Sequence, residues 1–344
     1  MHDAVREMAL SITGMNPRYM IQAGMQLEKL PKEEEWREDI EKISLMENSI
    51  SEIPEDMWPP NCQRLTTLLL QGNPIEKVSN ALFANMPCLG ILNLSETDIE
   101  FLPDSIIELK NLTTLLLHRC FNLRHLPCLS KLQGLKKLDL YWTRIEEVPE
   151  GMDMLVDLRY LDLENTNLKD IPAGLLSKLS HIQHLKIDLS IAKASVEEEL
   201  MTLENLECFE GSLKDRHDFD KFVSAMQQSK KNLINYRLQV GPRFTPYDYF
   251  RAGKSVLMGE YKFCEGELFM LPLDVQELEI FSCQDLRSLN HAFPSLENAI
   301  DLRVCRIAYC KEIECVASWS SSTHPFQSLD RHCFRIGCFL VAVM

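Results

Sequence analysis

The chain has 344 residues, enough for about two average domains. Its 36 Lys and Arg against 51 Asp and Glu leave a net charge of −15, which argues against a nonspecific grip on phosphate backbone or anionic lipid. With 45% hydrophobic and 25% charged residues the composition is that of a folding chain and excludes a disordered one.

The first residues, Met1 to Glu7, carry neither a basic nor an apolar leader segment, so the twelve cysteines are expected in a reducing, cytoplasmic setting rather than in a disulfide scaffold. Asp3 can cap a helix whose apolar stripe is Val5, Met8, Ala9 and Ile12. Residues 28 to 56 hold eleven acidic against four basic side chains. The block from Glu33 to Glu41 reads as a solvated connector, with an acidic docking face for a basic partner as the alternative.

From residue 40 a repeat organises the chain. The pattern Leu-x-x-Leu-x-Leu-x-x-(Asn/Thr/Cys)-x-Leu starts at Ile40, Leu65, Leu89, Leu112, Leu135 and Leu158, in steps of 25, 24, 23, 23 and 23 residues. That period is the signature of a leucine-rich-repeat solenoid, here expected as an α/β horseshoe with a parallel concave sheet. The alternating leucines face inward from short strands. The ninth position, held by Asn48, Asn73, Thr97, Cys120, Thr143 and Thr166, is expected to satisfy backbone groups where the chain turns out of the strand. Pro54, Pro103, Pro127, Pro149 and Pro172 suit the exit turns.

Beyond Ile171 the period loosens. Ile182, Leu185 and Ile187 begin a seventh unit, Leu206 and Phe209 mark a degraded one, and residues 214 to 232 read as a charged insertion with a short helix. Leu233, Tyr236, Leu238 and Val240 return to strand pattern, whereas residues 241 to 272 show no period. Two units starting at Val275 and Leu302 close the array. The expected domains are a helical remnant and acidic connector at 1–38, repeats at 39–318, irregular at 190–272, and an irregular tail at 319–344. No apolar run reaches the ~18 residues of a membrane-spanning helix.

No catalytic constellation is present. Gly253-Lys254-Ser255 has Asp248 where a phosphate loop needs its first glycine, and the Cys305, Cys310 and Cys315 spacing is too wide for a zinc site. What the repeats offer is a sheet face for binding protein. The expected partner-binding residues are Lys137, Asp139, Tyr141, Trp142, Tyr160, Asp162, Glu164, His184, Lys186 and Asp188, where charged and aromatic side chains gather; ordinary solvent-facing strand residues are the plainer alternative.

Two stretches resemble a known family. The opening Met1-His2-Asp3-Ala4-Val5-Arg6-Glu7-Met8 is similar to the Met-His-Asp motif that ends the nucleotide-binding module of plant nucleotide-binding leucine-rich-repeat disease resistance proteins of the coiled-coil type. Ile21-Gln22-Ala23-Gly24, Trp36 and Ile43-Ser44-Leu45-Met46 resemble that family's junction into its first repeat. The resemblance implies a helical remnant of a winged-helix module, followed by repeats that hold an immune switch off and meet a pathogen effector or guarded host protein. By position His2, with Asp3, would contact ADP in a full-length family member. The chain itself lacks the phosphate loop, so no cofactor is expected here. The alternatives are part of an ADP/ATP-dependent switch whose nucleotide-binding domain is missing from this chain, and a stand-alone repeat adaptor.

Overall fold

A Leu-x-Leu pair needs one buried face and one adjacent strand on each side, and both needs are met by stacking repeats in register. The computed structural model describes residues 18–32, 35–36, 38–53, 62–193, 196–229, 233–241, 253–313 and 339–340. The chain divides into two compact units, Met1–Gln183 and His184–Met344.

In the first unit, strands β1 (Tyr19–Ile21), β2 (Lys42–Ser44), β4 (Thr67–Leu69), β6 (Ile91–Asn93), β7 (Thr114–Leu116), β8 (Lys137–Asp139) and β9 (Tyr160–Asp162) pair in parallel in that order. A second small sheet joins β3 (Glu52–Ile53) to β5 (Lys77–Val78). Ile43, Leu68, Leu92, Leu115, Leu138 and Leu161 stand in one register row, each no more than 1% exposed. Burying each is worth about 1.5–3 kcal/mol. The sheet begins one strand earlier than the leucine pattern indicates: Met20, within the stretch read as connector, registers with Ile43.

The ninth position works as expected, in two grades. Asn73 Nδ2 donates to Leu70 O of its own repeat and to Leu45 O of the preceding one, both at 2.8 Å, while its Oδ1 accepts from Ile50 N at 3.2 Å. Asn48 bridges likewise, to Gln22 O at 2.8 Å and from Met25 N at 2.8 Å. A threonine has one hydroxyl and donates it within its own repeat, as in Thr97 to Leu94 O at 2.7 Å and Thr143 to Leu140 O at 2.9 Å, with the Cys120 thiol of the next repeat 3.5 Å from the Thr97 hydroxyl. Cys120 crosses back to Leu94 O at 3.1 Å, and burial pushes its thiol up to about 11.

The second unit has longer strands: β10 (His184–Asp188), β11 (Cys208–Leu213), β12 (Asn235–Val240), β13 (Lys254–Gly259), β14 (Glu277–Phe281) and β15 (Val304–Ala308) pair in parallel. The short β16 (Phe339–Leu340) adds antiparallel to β15. Strand β13 corrects the reading of 241–272 as aperiodic, since Val256 registers between Leu238 and Leu278. Lys254 of the Gly-Lys-Ser triplet opens that strand and bridges Asp274 at 2.6 Å. The same Asp274 accepts the hydroxyl of the buried Tyr236 at 3.0 Å.

The insertion forms a 13-residue helix, Arg216–Gln228, that buries Phe219, Phe222, Val223 and Met226 at i, i+3, i+4 and i+7. Phe222 stacks on Phe209 of β11 at 5.0 Å. Asp215 caps the helix by accepting from Asp218 N at 3.1 Å. Desolvation, then the charges of Asp215 and Glu197, raise the Asp218 carboxyl above its ordinary 3.8. A carboxyl raised on folding binds its proton more tightly in the native state, so its contribution is present below 3.8 and is lost as pH rises through the folded value. Urea titrations at about pH 4 and about pH 7 should therefore show a smaller loss of stability between the two for Asp218→Asn than for the parent. An equal loss would contradict the assignment.

Candidate functional site

Past each of the strands β2, β4, β6, β7, β8 and β9 the chain makes one left-handed residue, at the eighth repeat position. Glu47, Gly72, Glu96, Arg119, Trp142 and Asn165 have φ of 54°, 71°, 56°, 58°, 57° and 58°. Side chains other than Gly or Asn pay about 1–2 kcal/mol there. The offset is visible in the backbone: Glu47 N donates to Gln71 O at 2.8 Å, Gly72 N to Ser95 O at 3.0 Å, Glu96 N to His118 O at 2.8 Å, Arg119 N to Tyr141 O at 2.7 Å and Trp142 N to Glu164 O at 3.1 Å. The turn thus aims each amide at the following repeat and projects each eighth side chain beyond the strand ends.

Beside that row the sheet's outward face forms a linked set of side chains. Asn93 Nδ2 donates to Gln71 Oε1 at 3.0 Å, and Gln71 Nε2 donates to Glu96 Oε1 at 3.2 Å. His118 lies between two carboxylates, 3.4 Å from Glu96 and 3.8 Å from Asp139. Asp139 also accepts from Tyr141 N at 3.2 Å. Next come the rings: Tyr141 stacks on Trp142 at 5.8 Å, Phe121 meets Trp142 at 5.6 Å, and the Arg119 guanidinium sits 5.6 Å from the Trp142 ring centre. Lys137 Nζ lies 4.3 Å from the Tyr160 ring centre.

Of the sequence-predicted residues, the structure brings Lys137, Asp139, Tyr141 and Tyr160 onto this face, half-buried, with Glu164 at its border. Two expectations are corrected. Asp162 is only 4% exposed, because its carboxylate accepts from Glu164 N at 3.0 Å and from the Tyr160 hydroxyl at 3.3 Å; it supports its neighbours rather than meeting a partner. Trp142 does not stand on the strand but on the left-handed turn after β8. His184, Lys186 and Asp188 belong to β10 in the second unit, where Lys186 pairs with Glu210 at 2.9 Å and Asp188 accepts from Ser190 N at 3.0 Å. His2 and Asp3 lie outside the described residues.

Glu96, Arg119 and Phe121 were missed. Their signal is positional: 96 and 119 are eighth positions, and Phe121 is the residue displaced outward, to 48% exposure, by the extra residue of the fourth repeat.

Short parallel strands at a 23–25-residue step, each closed by a ninth-position polar ladder, define a leucine-rich-repeat protein, and the leucine-rich-repeat family model matches residues 63–121. The sequence matches the C-terminal leucine-rich-repeat part of plant disease resistance proteins. Disease resistance protein UNI of Arabidopsis thaliana is 33% identical over 247 residues, covering 70% of this chain and 27% of UNI. Disease resistance protein RPS5 of the same plant is 36% identical over 222 residues, 60% of this chain and 24% of its own length. The chain thus spans about a quarter of the length of the curated relatives it matches. Among solved structures, a leucine-rich-repeat protein of Leptospira interrogans superposes with a TM-score of 0.54 at 18% identity over 88% of this chain and 81% of its own. The Arabidopsis receptor kinase HAESA, in complex with the peptide hormone IDA and the co-receptor SERK1, does so with 0.50 at 19% identity over 78% of this chain and 43% of its own. Both likenesses concern the fold alone. No described helix is long and apolar enough to cross a membrane.

Proposed function

We propose that the chain is the non-enzymatic protein-recognition region of a cytoplasmic plant immune receptor, and that the face built on Lys137, Tyr141, Trp142 and Tyr160 receives a pathogen effector or guarded host protein. The observation that carries this reading is the ring cluster of Phe121, Tyr141 and Trp142 held in fixed geometry beside an acidic, hydrogen-bonded surface. Rigid aromatic anchors lose little entropy on binding and dominate interface energies. In a full-length receptor the earlier repeats would press on the nucleotide-binding module and hold it off, with ADP contacted by His2 and Asp3 in that module. The family likeness supports this reading.

A photo-crosslinking residue at Tyr141 should capture protein in infected plant tissue, and one at Lys169, on the exposed loop beyond the sixth repeat's strand, should not. Trp142→Ala or Tyr160→Ala should then weaken binding of the captured protein about 30-fold, the equivalent of a 2 kcal/mol anchor. Equal capture from both positions, or unchanged affinity, would remove the face from consideration.

A further inference from the structure

Two ninth positions in the second unit carry cysteine in consecutive repeats. Strands β14 and β15 pair with Phe281 opposite Ala308, and Cys283 and Cys310 follow each of these by two residues. Ser282 and Tyr309, just before them, share the left-handed turn at φ of 52° and 58°, and Ser282 N donates to Ala308 O at 2.8 Å. The two cysteines therefore leave their strands with the same backbone geometry. Each thiol also reaches the carbonyl two residues back, Cys283 to Phe281 O at 3.6 Å and Cys310 to Ala308 O at 3.5 Å, so both side chains point the same way and stack. Adjacent strands lie about 4.8 Å apart. That is inside the range of about 4.4–6.8 Å between Cα atoms that a disulfide requires.

The pair is asymmetric. Cys283 is 2% exposed, with Met258 O at 3.5 Å as a further acceptor for its proton, whereas Cys310 is half-buried. The neighbouring Cys283 thiol lowers the pKa of Cys310, and Cys310 together with burial raises that of Cys283. Cys120 is the internal control. It occupies the same repeat position, but its ninth-position neighbours are Thr97 and Thr143, and it is fully buried.

We propose that Cys310 and Cys283 form an oxidation site for a hydroperoxide, with Cys310 the attacking thiol and Cys283 the resolving one, closing a disulfide that staples the repeat of β14 to the repeat of β15. The Cys310 thiolate attacks the peroxide's terminal oxygen, the O–O bond breaks, and the leaving alkoxide takes a proton to become an alcohol or, from hydrogen peroxide, water. Cys283 sulfur then attacks the Cys310 sulfenic acid, the S–O bond breaks, and the departing hydroxide takes the Cys283 proton to leave as water. Two thiols are oxidised for each peroxide reduced.

The test uses the full chain and hydrogen peroxide. Reduced protein is exposed to one equivalent, free thiols are alkylated, and peptides are mapped without reduction. The expected product joins the Cys283 and Cys310 peptides with loss of two hydrogens and two thiols per peroxide, while Cys120 stays alkylated only after unfolding. In Cys283→Ser the link is lost and Cys310 is trapped by dimedone as the sulfenic acid. The proposal is overturned if Cys310 in the parent chain ends as a sulfinic acid or dimedone adduct, or if it pairs with Cys315 or with a second molecule. The parent map decides the matter even where a variant folds poorly.

Discussion

Gly151→Ala should destabilise the first unit by about 3 kcal/mol, from the left-handed cost and a forced backbone shift together. Gly151 has φ 75°, and an added Cβ would stand 2.5 Å from Ser130 N and 2.8 Å from Ser130 Cα. The obstacle is backbone that cannot easily move, because Leu129 N is bonded to Glu150 O at 2.7 Å across the same turn. Gly174 provides the comparison: it has φ 81° but open space around its missing Cβ. Gly174→Ala should therefore cost only the conformational part, about 1–2 kcal/mol. Urea unfolding of both variants separates strain from clash, and equal losses would show that the Ser130 contact yields.

Asn73→Ala should cost about as much by another route. It deprives Ile50 N and Leu70 O of their partner and leaves Leu45 O with Asn48 Nδ2 alone, at a site only 1% exposed, and buried polar groups left unmet cost about 1–3 kcal/mol each before relaxation. We expect a net loss of about 3 kcal/mol. Thr143→Ala removes a single bond within its own repeat and should cost about 1 kcal/mol. Asn73→Thr should fall between them, since a hydroxyl can still reach Leu70 O and not both repeats. If Asn73→Ala and Thr143→Ala were equal, the cross-repeat bonds would carry no stability.

These expectations show what the sequence makes legible. The inward leucines and the ninth position repeat at a fixed step, so strands β2, β4 and β6 to β9 follow from pattern alone. Strands β1 and β13 do not: Tyr19–Ile21 carries Met20 in place of leucine, and Lys254–Gly259 lies in a stretch whose core is aromatic. Phe263, Phe269 and Phe293 pack with ring centres 5.6–6.1 Å apart there, a cluster with no sequence period because ring packing is not spaced like a strand. The site was legible as far as alternation reaches. Lys137, Asp139 and Tyr160 face outward as period two demands, whereas the burial of Asp162 depends on which backbone amide and hydroxyl happen to be near. Trp142 was legible as an aromatic anchor but its turn position was not, since a left-handed turn leaves no compositional mark when glycine is absent.

The left-handed turns have a consequence for how such a molecule can diversify. Six positions share one φ within 20°, yet hold Glu, Gly, Glu, Arg, Trp and Asn. At five of them the backbone amide, which every residue here possesses, bonds to the following repeat, so the turn is held by the main chain rather than by the side chain. Each turn is a mounting point whose fitting can be exchanged for about the price of a left-handed residue, without disturbing the leucines behind it. A lineage that must keep changing what it recognises can rewrite this row letter by letter while the repeats beneath stay as they are.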